Sequence, residues 1–148
     1  MSDDLVLRRQ VCFALYAASR ALTDVYRPIL DEHGLTYPQY LVLLVLWERG
    51  DEAPTVSALG ARLRLDSGTL SPLLKRLEAA GLVARSRSAA DERRVEVRLT
   101  ARGRALRERM DEVPMRVAVA TGLTEAELVA LRDTLTRVTE TIHRQKEQ

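Results

Sequence analysis

The sequence has few of the residues that build metal centres and disulfide frameworks. Its 148 residues include one cysteine, Cys12, and two histidines, His33 and His143. A single cysteine excludes an intrachain disulfide, and these three residues are too far apart in sequence to have metal-ligand spacing. We therefore expect no structural disulfide, no metal ion and no cofactor.

Long apolar runs and common catalytic motifs are missing as well. The longest apolar run, Tyr40 to Trp47, is far shorter than the roughly 20 residues of a transmembrane helix. The acidic start at Ser2 to Asp4 differs from the basic end of a signal peptide. Neither a glycine-rich phosphate loop nor a nucleophile motif containing a histidine is present. These absences predict a cytoplasmic protein that does not bind membranes and is not an enzyme.

Charged and aromatic residues are distributed unevenly along what the size predicts to be a single domain. The formal net charge is +2, but residues 62–109 contain 13 Lys and Arg against 6 Asp and Glu. All six aromatic residues lie between Phe13 and Trp47. The basic part of the chain is suited to a polyanion, whereas the other part combines aromatic residues with the cysteine.

Helical periodicity and capping residues predict six helices and one β-hairpin. We expect helix caps at Thr36, Thr55, Asp66 and Thr100, a capping box at Thr124 with Glu127, a helix stop at Gly81, and kinks at Pro28 and Pro114. The fold is then mainly α with a small β-hairpin, in the order α-α-α-α-β-β-α-α. The helices are expected at 5–32, 38–48, 56–63, 67–80, 100–121 and from 124 onward, and the strands at 82–88 and 95–100.

The fourth helix and the hairpin form the plan of a winged helix-turn-helix. Leucines form one stripe of that helix, so its polar side can approach the base edges of DNA, and arginines on the hairpin can neutralise phosphates. The alternative is a helical hairpin with a solvated polar face. The expected DNA contacts are Ser67, Thr69, Ser71, Lys75 and Arg76 on the helix, and Arg85, Arg87, Arg93, Arg94 and Arg98 on the hairpin.

The last helix has an apolar stripe that needs a partner. Its members step by three and four residues, as in a coiled coil: Leu128, Leu131, Leu135, Val138 and Ile142. Packing within the chain is one possibility, and pairing of two subunits is the other. We favour a homodimer.

The first helix places a thiol and several hydroxyls on one face: Cys12, Tyr16, Ser19, Thr23 and Tyr26. Cys12 and Tyr26 are 14 residues apart, or about 21 Å along a helix. Two copies crossing antiparallel near Ser19 would bring Tyr26 of one subunit close to Cys12 of the other, and the Thr36-Tyr37-Pro38 corner could complete the site. Tyrosine hydroxyls that donate to a thiolate keep it reactive toward a lipophilic peroxide. An inert, buried cysteine is the alternative.

Four stretches resemble the organic hydroperoxide resistance regulators (OhrR) of the MarR family: Val11–Arg20, Thr36–Tyr40, Leu65–Glu78 and Asp91–Arg93. The resemblance covers nearly the whole chain. The cysteine motif and Thr-Tyr-Pro-Gln-Tyr are specific to this branch, whereas the Asp91 to Arg93 segment is shared widely among MarR proteins.

The resemblance implies a homodimeric winged-helix repressor that binds a pseudo-palindromic operator in double-stranded DNA until an organic hydroperoxide oxidises its cysteine. Cys12 matches that cysteine, Tyr26 and Tyr37 match tyrosines that hydrogen-bond it across the dimer, and Tyr16 is a third candidate. Residues 5–50 and 101–148 would dimerise and sense, and residues 51–100 would bind DNA. Since a second cysteine is lacking, the sulfenic acid would react with a low-molecular-weight thiol, cyclise or be overoxidised.

Three other functions fit parts of the sequence. A MarR-type repressor gated by a non-covalently bound aromatic molecule would need the same fold without the thiol. A thiol peroxidase would use the same pocket for turnover. A helical adaptor would not bind DNA at all.

Overall fold

The computed structural model describes residues 5–148, which form two compact units, one ending at Asp111 and one from Glu112 to Gln148. The expectation for the acidic start at Ser2 to Asp4 lies outside the described residues. After a short 3-10 helix at Leu7–Arg9, this part of the chain forms seven α-helices and one hairpin. The elements are α1 (Val11–Asp31), α2 (Tyr37–Arg49), α3 (Val56–Leu63), α4 (Ser67–Ala79), β1 (Val83–Arg87), β2 (Val95–Leu99), α5 (Ala101–Arg109), α6 (Val113–Thr121) and α7 (Glu125–Lys146).

The predicted first helix was wrong at its start. It was expected from Leu5, but Gln10 is extended, with φ −79° and ψ 114°, and α1 begins at Val11. Its predicted end at about residue 32 is confirmed, because α1 continues past Pro28 to Asp31. Continuation costs one backbone hydrogen bond near the end of the helix, and it places Ile29 and Leu30 in the core.

The predicted helix over 100–121 is two helices. Met110 leaves the helical conformation with φ −105° and ψ 1°, and α6 begins at Val113 with Pro114 in its first turn. Proline is favoured there because its missing N–H would have no helical partner. The described chain therefore has one α-helix more than the sequence predicted.

The predicted helix caps are confirmed. Asp66 accepts a hydrogen bond from the backbone N–H of Thr69 at 2.7 Å, and Thr36 forms a capping box with Gln39. The capping box of Thr124 with Glu127 and the side-chain caps at Thr55 and Thr100 are also present. Gly81 has the positive φ, +76°, of a helix stop. Side-chain capping thus sets the start of five helices.

The core of the first unit is built around α2 and the leucine stripe of α4. Val42, Leu43 and Leu46 of α2 are buried. The predicted stripe of α4 is confirmed, because Leu70, Leu73, Leu74 and Leu77 are all at most 6% exposed. Burying this stripe fixes which side of α4 remains in solvent.

The hairpin joins the same core in antiparallel register, with Val83 opposite Leu99 and Arg87 opposite Val95. Val97 is fully buried, and its N–H donates to the carbonyl oxygen of Pro54 at 2.9 Å. The segment that enters α3 is thereby attached to the inner strand of the hairpin, as in a winged helix.

At Gly103, α5 packs closely against the rest of the unit. Its carbonyl oxygen accepts a hydrogen bond from the Trp47 indole N–H at 2.9 Å. A Cβ atom at this position would collide with the carbonyl oxygen of Leu82 and lie 3.1 Å from Cδ2 of Leu99. Only glycine allows so close an approach of a helix to a neighbouring backbone.

The second unit contains α6 and α7. No residue of α7 is buried, and in its apolar stripe Leu131, Val138 and Ile142 are 46%, 43% and 48% exposed. Over residues 5–148, no helix is both long and apolar enough to span a bilayer.

Candidate redox site and nucleic-acid interface

The predicted DNA-reading residues of α4 lie together on its solvent side. Ser67, Thr69 and Ser71 are exposed near the start of the helix, and Lys75 and Arg76 are exposed further along it. The hydroxyl side chains are short, so they leave the start of α4 open to a close approach by another molecule, and the two cations lie on the same exposed side of the helix.

The turn between α3 and α4 is held in one conformation by its backbone. Arg64 adopts the left-handed region at φ 57° and ends α3. A Cβ on Gly60 would lie 2.8 Å from the carbonyl oxygen of Leu65, so the chain passes close over α3 before α4 begins. This tight turn sets the angle between α3 and α4.

The Asp66 cap predicts an acid-dependent loss of stability. The Thr69 N–H lowers the pKa of Asp66 below its ordinary value of 3.8, so ionised Asp66 stabilises the folded state above that value and the contribution is lost as the pH falls through the lowered pKa. Asp66→Asn keeps a capping oxygen but cannot ionise. We expect the stability advantage of the wild type over Asp66→Asn to shrink as the pH falls below 3.8 and through the lowered pKa of Asp66, as followed by thermal unfolding. Asp66→Ala should be less stable than Asp66→Asn throughout, and parallel pH profiles of wild type and Asp66→Asn would contradict the assignment.

The tip of the hairpin is a structured turn that carries two exposed arginines, Arg93 and Arg94. Asp91 accepts a hydrogen bond from the Arg93 N–H at 3.0 Å, and the Ser88 N–H donates to the carbonyl oxygen of Arg94 at 2.7 Å. Over the described part of the chain, neither guanidinium forms an ion pair. The turn therefore presents two cations that have no carboxylate partner within residues 5–148.

The other hairpin arginines have contacts within the chain. Arg87 donates to the carbonyl oxygen of Glu92 at 3.3 Å, and Arg98 pairs with Glu96 at 3.2 Å. Arg85 donates to Glu78 of α4 through its backbone N–H at 3.0 Å and its guanidinium at 3.4 Å. The Arg85 backbone N–H and then its side chain hold the pKa of Glu78 below its usual range. This pair ties the first strand of the hairpin to α4.

Cys12 is the second residue of α1 and is exposed. The first backbone hydrogen bond of α1 runs from the N–H of Ala14 to the carbonyl oxygen of Gln10, at 3.2 Å. Cys12 therefore lies in the first turn, where the N–H groups point out of the helix and the dipole favours an anion. Cys12 is in the first turn because α1 begins at Val11. A helix that began at Leu5 would have placed Cys12 in its third turn.

Tyr16 lies one turn after Cys12, and its hydroxyl contacts Arg20, which is one turn further along α1. Arg20 donates to the Tyr16 hydroxyl oxygen at 2.7 Å, and its guanidinium carbon lies 5.5 Å from the centre of the Tyr16 ring. A hydroxyl that accepts from an arginine still has its proton free to donate. Tyr16 therefore keeps a donor for a second partner.

Tyr26 and Tyr37, predicted to act together, are brought together with a third ring. The ring centres of Tyr26 and Tyr37 are 4.7 Å apart, and Tyr40 lies 5.8 Å from Tyr26 and 6.5 Å from Tyr37. We call these three residues the tyrosine cluster. Tyr40 was not predicted as part of the site, although its spacing of three residues from Tyr37 on a helix was the available signal.

Burial keeps the hydroxyls of the tyrosine cluster protonated. It raises the pKa of Tyr26 to about 12, with smaller contributions from Tyr37 and Tyr40, and it also raises the pKa of Tyr37 and of Tyr40. Over residues 5–148, none of the three hydroxyls forms a hydrogen bond. The cluster is therefore a set of phenol donors without a partner among the described residues.

One chain does not bring Cys12 to the tyrosine cluster. Cys12 and Tyr26 are both in α1, about 21 Å apart along the helix at ~1.5 Å per residue. Among the described residues there is also no group of three His, Cys, Asp or Glu side chains that could hold a metal ion. The potential chemistry of the site rests on one thiol and several phenols.

Comparison with known proteins identifies the family. Residues 24–110 match the family described as transcriptional regulator SarA/Rot. The HTH-type transcriptional regulator TtmR of Methylorubrum extorquens is 52% identical over 141 residues, which make up 95% of this chain and 71% of that protein. The organic hydroperoxide resistance transcriptional regulator of Bacillus subtilis is 45% identical over 141 residues, or 95% of each chain.

Solved structures agree with this result. Reduced AbfR bound to DNA, a protein of Staphylococcus epidermidis, has a TM-score of 0.75 and 36% identity, and the match covers 92% of this chain and 94% of that one. The predicted mainly helical, winged fold and the resemblance to the organic hydroperoxide regulators are confirmed. Because the family and these relatives are transcriptional regulators, the prediction that the chain is not an enzyme is also confirmed, and the thiol peroxidase interpretation is set aside. The chain belongs to the SarA/Rot family of MarR-like, DNA-binding transcriptional regulators.

Proposed function

We propose that this regulator is a homodimeric repressor that binds a pseudo-palindromic operator in its reduced form and releases it when an organic hydroperoxide oxidises Cys12. The observation that carries the proposal is that the chain has both an exposed thiol in the first turn of α1 and, at the other end of that helix, a cluster of phenol donors that have no partner among the described residues. Hydrogen bonds from such donors favour the ionised form of a thiol, which is its nucleophilic form. The Bacillus subtilis relative is a regulator of organic hydroperoxide resistance.

The exposed apolar surface of the chain supports the dimer. Every residue of α1 from Val11 to Asp24 is exposed, although Val11, Phe13 and Leu15 are apolar, and the apolar stripe of α7 is uncovered as well. Surfaces of this kind mark protein interfaces. An antiparallel crossing of two α1 helices near Ser19 would cover this face and bring the tyrosine cluster of one subunit to Cys12 of the other.

Residues 51–100 then form the DNA-binding part, and residues 5–50 and 101–148 the dimerisation and sensing part. Within the DNA-binding part, α4 would read bases through Ser67, Thr69 and Ser71. Phosphates would be contacted by Lys75, Arg76, Arg93 and Arg94. Arg87 would also contact a phosphate after giving up its hydrogen bond to the carbonyl oxygen of Glu92. As a regulator of transcription, the protein would act in the cytoplasm.

The oxidation step is a two-electron transfer. The Cys12 thiolate attacks the distal peroxide oxygen, the O–O bond breaks, the hydroperoxide leaves as an alcohol after taking up a proton, and the sulfur becomes a sulfenic acid. Tyr26 and Tyr37 of the other subunit can donate to the thiolate before this step, and they lose that geometry when oxygen is added. A low-molecular-weight thiol can then form a mixed disulfide with loss of water. The two α4 helices must fit major grooves about 34 Å apart, so a shift of a few ångströms at the dimer interface would release DNA.

A DNA-binding titration tests the proposal. Wild type and Cys12→Ser are compared on the protein's own upstream region, before and after stoichiometric cumene hydroperoxide with a low-molecular-weight thiol present. We expect both to bind equally well at first, and only the wild type to lose at least tenfold in affinity after oxidation. Tyr26→Phe and Tyr37→Phe should bind DNA normally but react more slowly with the peroxide, because each removes a phenol donor.

Two results would contradict the proposal. If both proteins release DNA after oxidation, the peroxide acts at a site other than Cys12. If neither protein releases DNA, Cys12 is not the sensor. Normal induction of Cys12→Ser in cells would instead favour a repressor gated by a non-covalently bound aromatic molecule.

A further inference from the structure

The base of the hairpin has one pair of opposite residues whose N–H groups point outward, Arg85 in β1 and Val97 in β2. The Thr100 N–H donates across the hairpin to the carbonyl oxygen of Leu82 at 3.0 Å. Bonded and non-bonded positions alternate along an antiparallel pair of strands. Arg85 is three residues from Leu82, and Val97 is three residues from Thr100, so the N–H of each points away from the other strand. Both groups can therefore bind atoms outside the hairpin.

The two edges of this pair are attached to different parts of the helix-turn-helix. On the β2 side, the Val97 N–H donates to the carbonyl oxygen of Pro54 at 2.9 Å, in the segment that enters α3. On the β1 side, the Arg85 N–H donates to Oε2 of Glu78 at 3.0 Å, and the Arg85 guanidinium donates to Oε1 at 3.4 Å. The first attachment joins two backbone groups and does not depend on a side chain. The second depends on the carboxylate of Glu78.

The arginines of the hairpin tip lie well beyond this attachment. Ser88, whose N–H closes the tip turn, is three residues from Arg85, or ~10 Å at ~3.3 Å per residue. A rotation of the hairpin by about 10° about Arg85 would therefore move Ser88 by about 2 Å and the tip by more. Hydrogen bonds tolerate a change in length of only about 0.5 Å. Such a rotation would separate Arg93 and Arg94 from phosphates while α4 stayed at its groove.

We propose that Glu78 is a positioning residue for DNA binding, which fixes the angle between α4 and the hairpin by accepting the Arg85 N–H. Major-groove contacts of α4 and phosphate contacts of the hairpin tip can then form at the same time. This role rests on the DNA-binding part of the proposed function and is independent of Cys12. Glu78 lies three residues after Lys75 and is its neighbour on the surface of α4, where a carboxylate repels phosphates rather than binding them.

The sign of the effect separates positioning from charge. If Glu78 acted through its charge alone, its removal would strengthen DNA binding, because a negative charge near the phosphates would be lost. A role in stability would instead lower the midpoint of thermal unfolding. The side chains of Arg85 and Glu78 are 30% and 40% exposed, however, and partly exposed ion pairs contribute little to stability. Positioning predicts weaker DNA binding at nearly unchanged stability.

A DNA-binding titration of reduced Glu78→Ala on the protein's own upstream region tests the proposal. We expect a loss of about tenfold or more and a shallower salt slope, since each lost phosphate contact is worth roughly eightfold at about 0.1 M salt. The midpoint of thermal unfolding should stay within a few degrees of the wild-type value. Glu78→Gln keeps an oxygen that accepts the Arg85 N–H, so this variant should bind nearly as well as the wild type.

Glu48→Ala is the matched control. Glu48 is an exposed glutamate that pairs with an arginine of another helix, Arg62 of α3, at 3.0 Å, and its loss changes the net charge by the same amount. Because this pair does not join the hairpin to α4, the affinity of Glu48→Ala should be within about twofold of the wild type. A loss equal to that of Glu78→Ala would mean that the change in charge is responsible.

The combination with Arg93→Ala shows whether Glu78 acts through the hairpin tip. In that background Glu78→Ala should cost about threefold or less, because part of the contact that it positions is already gone. The proposal is overturned if Glu78→Ala binds as tightly as the wild type or tighter, if Glu78→Gln does not restore binding, or if the loss is the same in both backgrounds. Since Arg93→Ala alone reports whether the tip binds DNA, a failure here is distinguishable from a failure of the proposed function.

Discussion

Replacing Gly103 with alanine is expected to lower the free energy of unfolding by about 3 kcal/mol or more. The added methyl group would collide with the carbonyl oxygen of Leu82, a backbone atom that also accepts the Thr100 N–H at 3.0 Å. Overpacking typically costs about 1–3 kcal/mol. Moving α5 away would also weaken the buried hydrogen bond from Trp47, which adds about 1 kcal/mol. At roughly 2–4 °C per kcal/mol, thermal unfolding should shift down by about 6–12 °C.

Gly68→Ala is the matched control for this variant. Gly68 is also helical, and its nearest neighbour to an added Cβ is Asp66 Oδ1 at 3.4 Å. Because alanine favours a helix over glycine by up to about 1 kcal/mol, this variant should be as stable as the wild type or more so. If Gly103→Ala and Gly68→Ala have the same midpoint of thermal unfolding at one protein concentration, the close approach at Gly103 does not determine stability.

Removing the hairpin-tip charges is expected to weaken DNA binding strongly and to flatten its salt dependence. Each phosphate contact contributes about 0.9 to the slope of log K against log salt. At about 0.1 M salt the same relation makes one contact worth roughly eightfold in affinity. In a dimer, Arg93→Ala removes two such contacts, so we expect a loss of about sixtyfold and a slope shallower by about 2. Arg94→Ala should behave in the same way.

Arg132→Ala provides the comparison for total charge. Arg132 lies on α7, where it pairs with Asp133 at 3.3 Å, so its loss changes the net charge by the same amount without removing a hairpin cation. Its affinity and salt slope should match those of the wild type. An unchanged slope for Arg93→Ala would remove that residue from the phosphate contacts, and an equal loss in Arg132→Ala would mean that overall charge is responsible.

Local chemistry allowed much of the fold to be predicted. Caps such as Asp66 act within three residues of chain, and the leucine stripe of α4 is a periodic signal, so both are visible in the sequence. The start of α1 and the division between α5 and α6 were not predicted. Gln10 and Met110 leave the helical conformation, although neither residue type is a helix breaker.

The candidate site divides in the same way. Cys12, Tyr26 and Tyr37 were proposed from spacing and from the family motif, and the structure brings the rings of the two tyrosines into contact. Tyr40 was missed because it is 3% exposed and looks like a core residue in a sequence pattern. Its position against both other rings depends on packing between two helices, which no local pattern records.

The hydrogen bond between Trp47 and Gly103 gives the protein a built-in optical reporter. Trp47 is the single tryptophan of the chain, is 8% exposed, and lies seven residues from Tyr40 on the same helix, so two helical turns connect the indole to the tyrosine cluster. While α5 packs against α2, the indole is buried and its fluorescence should be blue-shifted. Separation of α5 from α2 would expose the indole to water and shift the emission to the red. Stopped-flow emission after peroxide addition would therefore time the movement of α2 without an attached dye, separately from the loss of DNA.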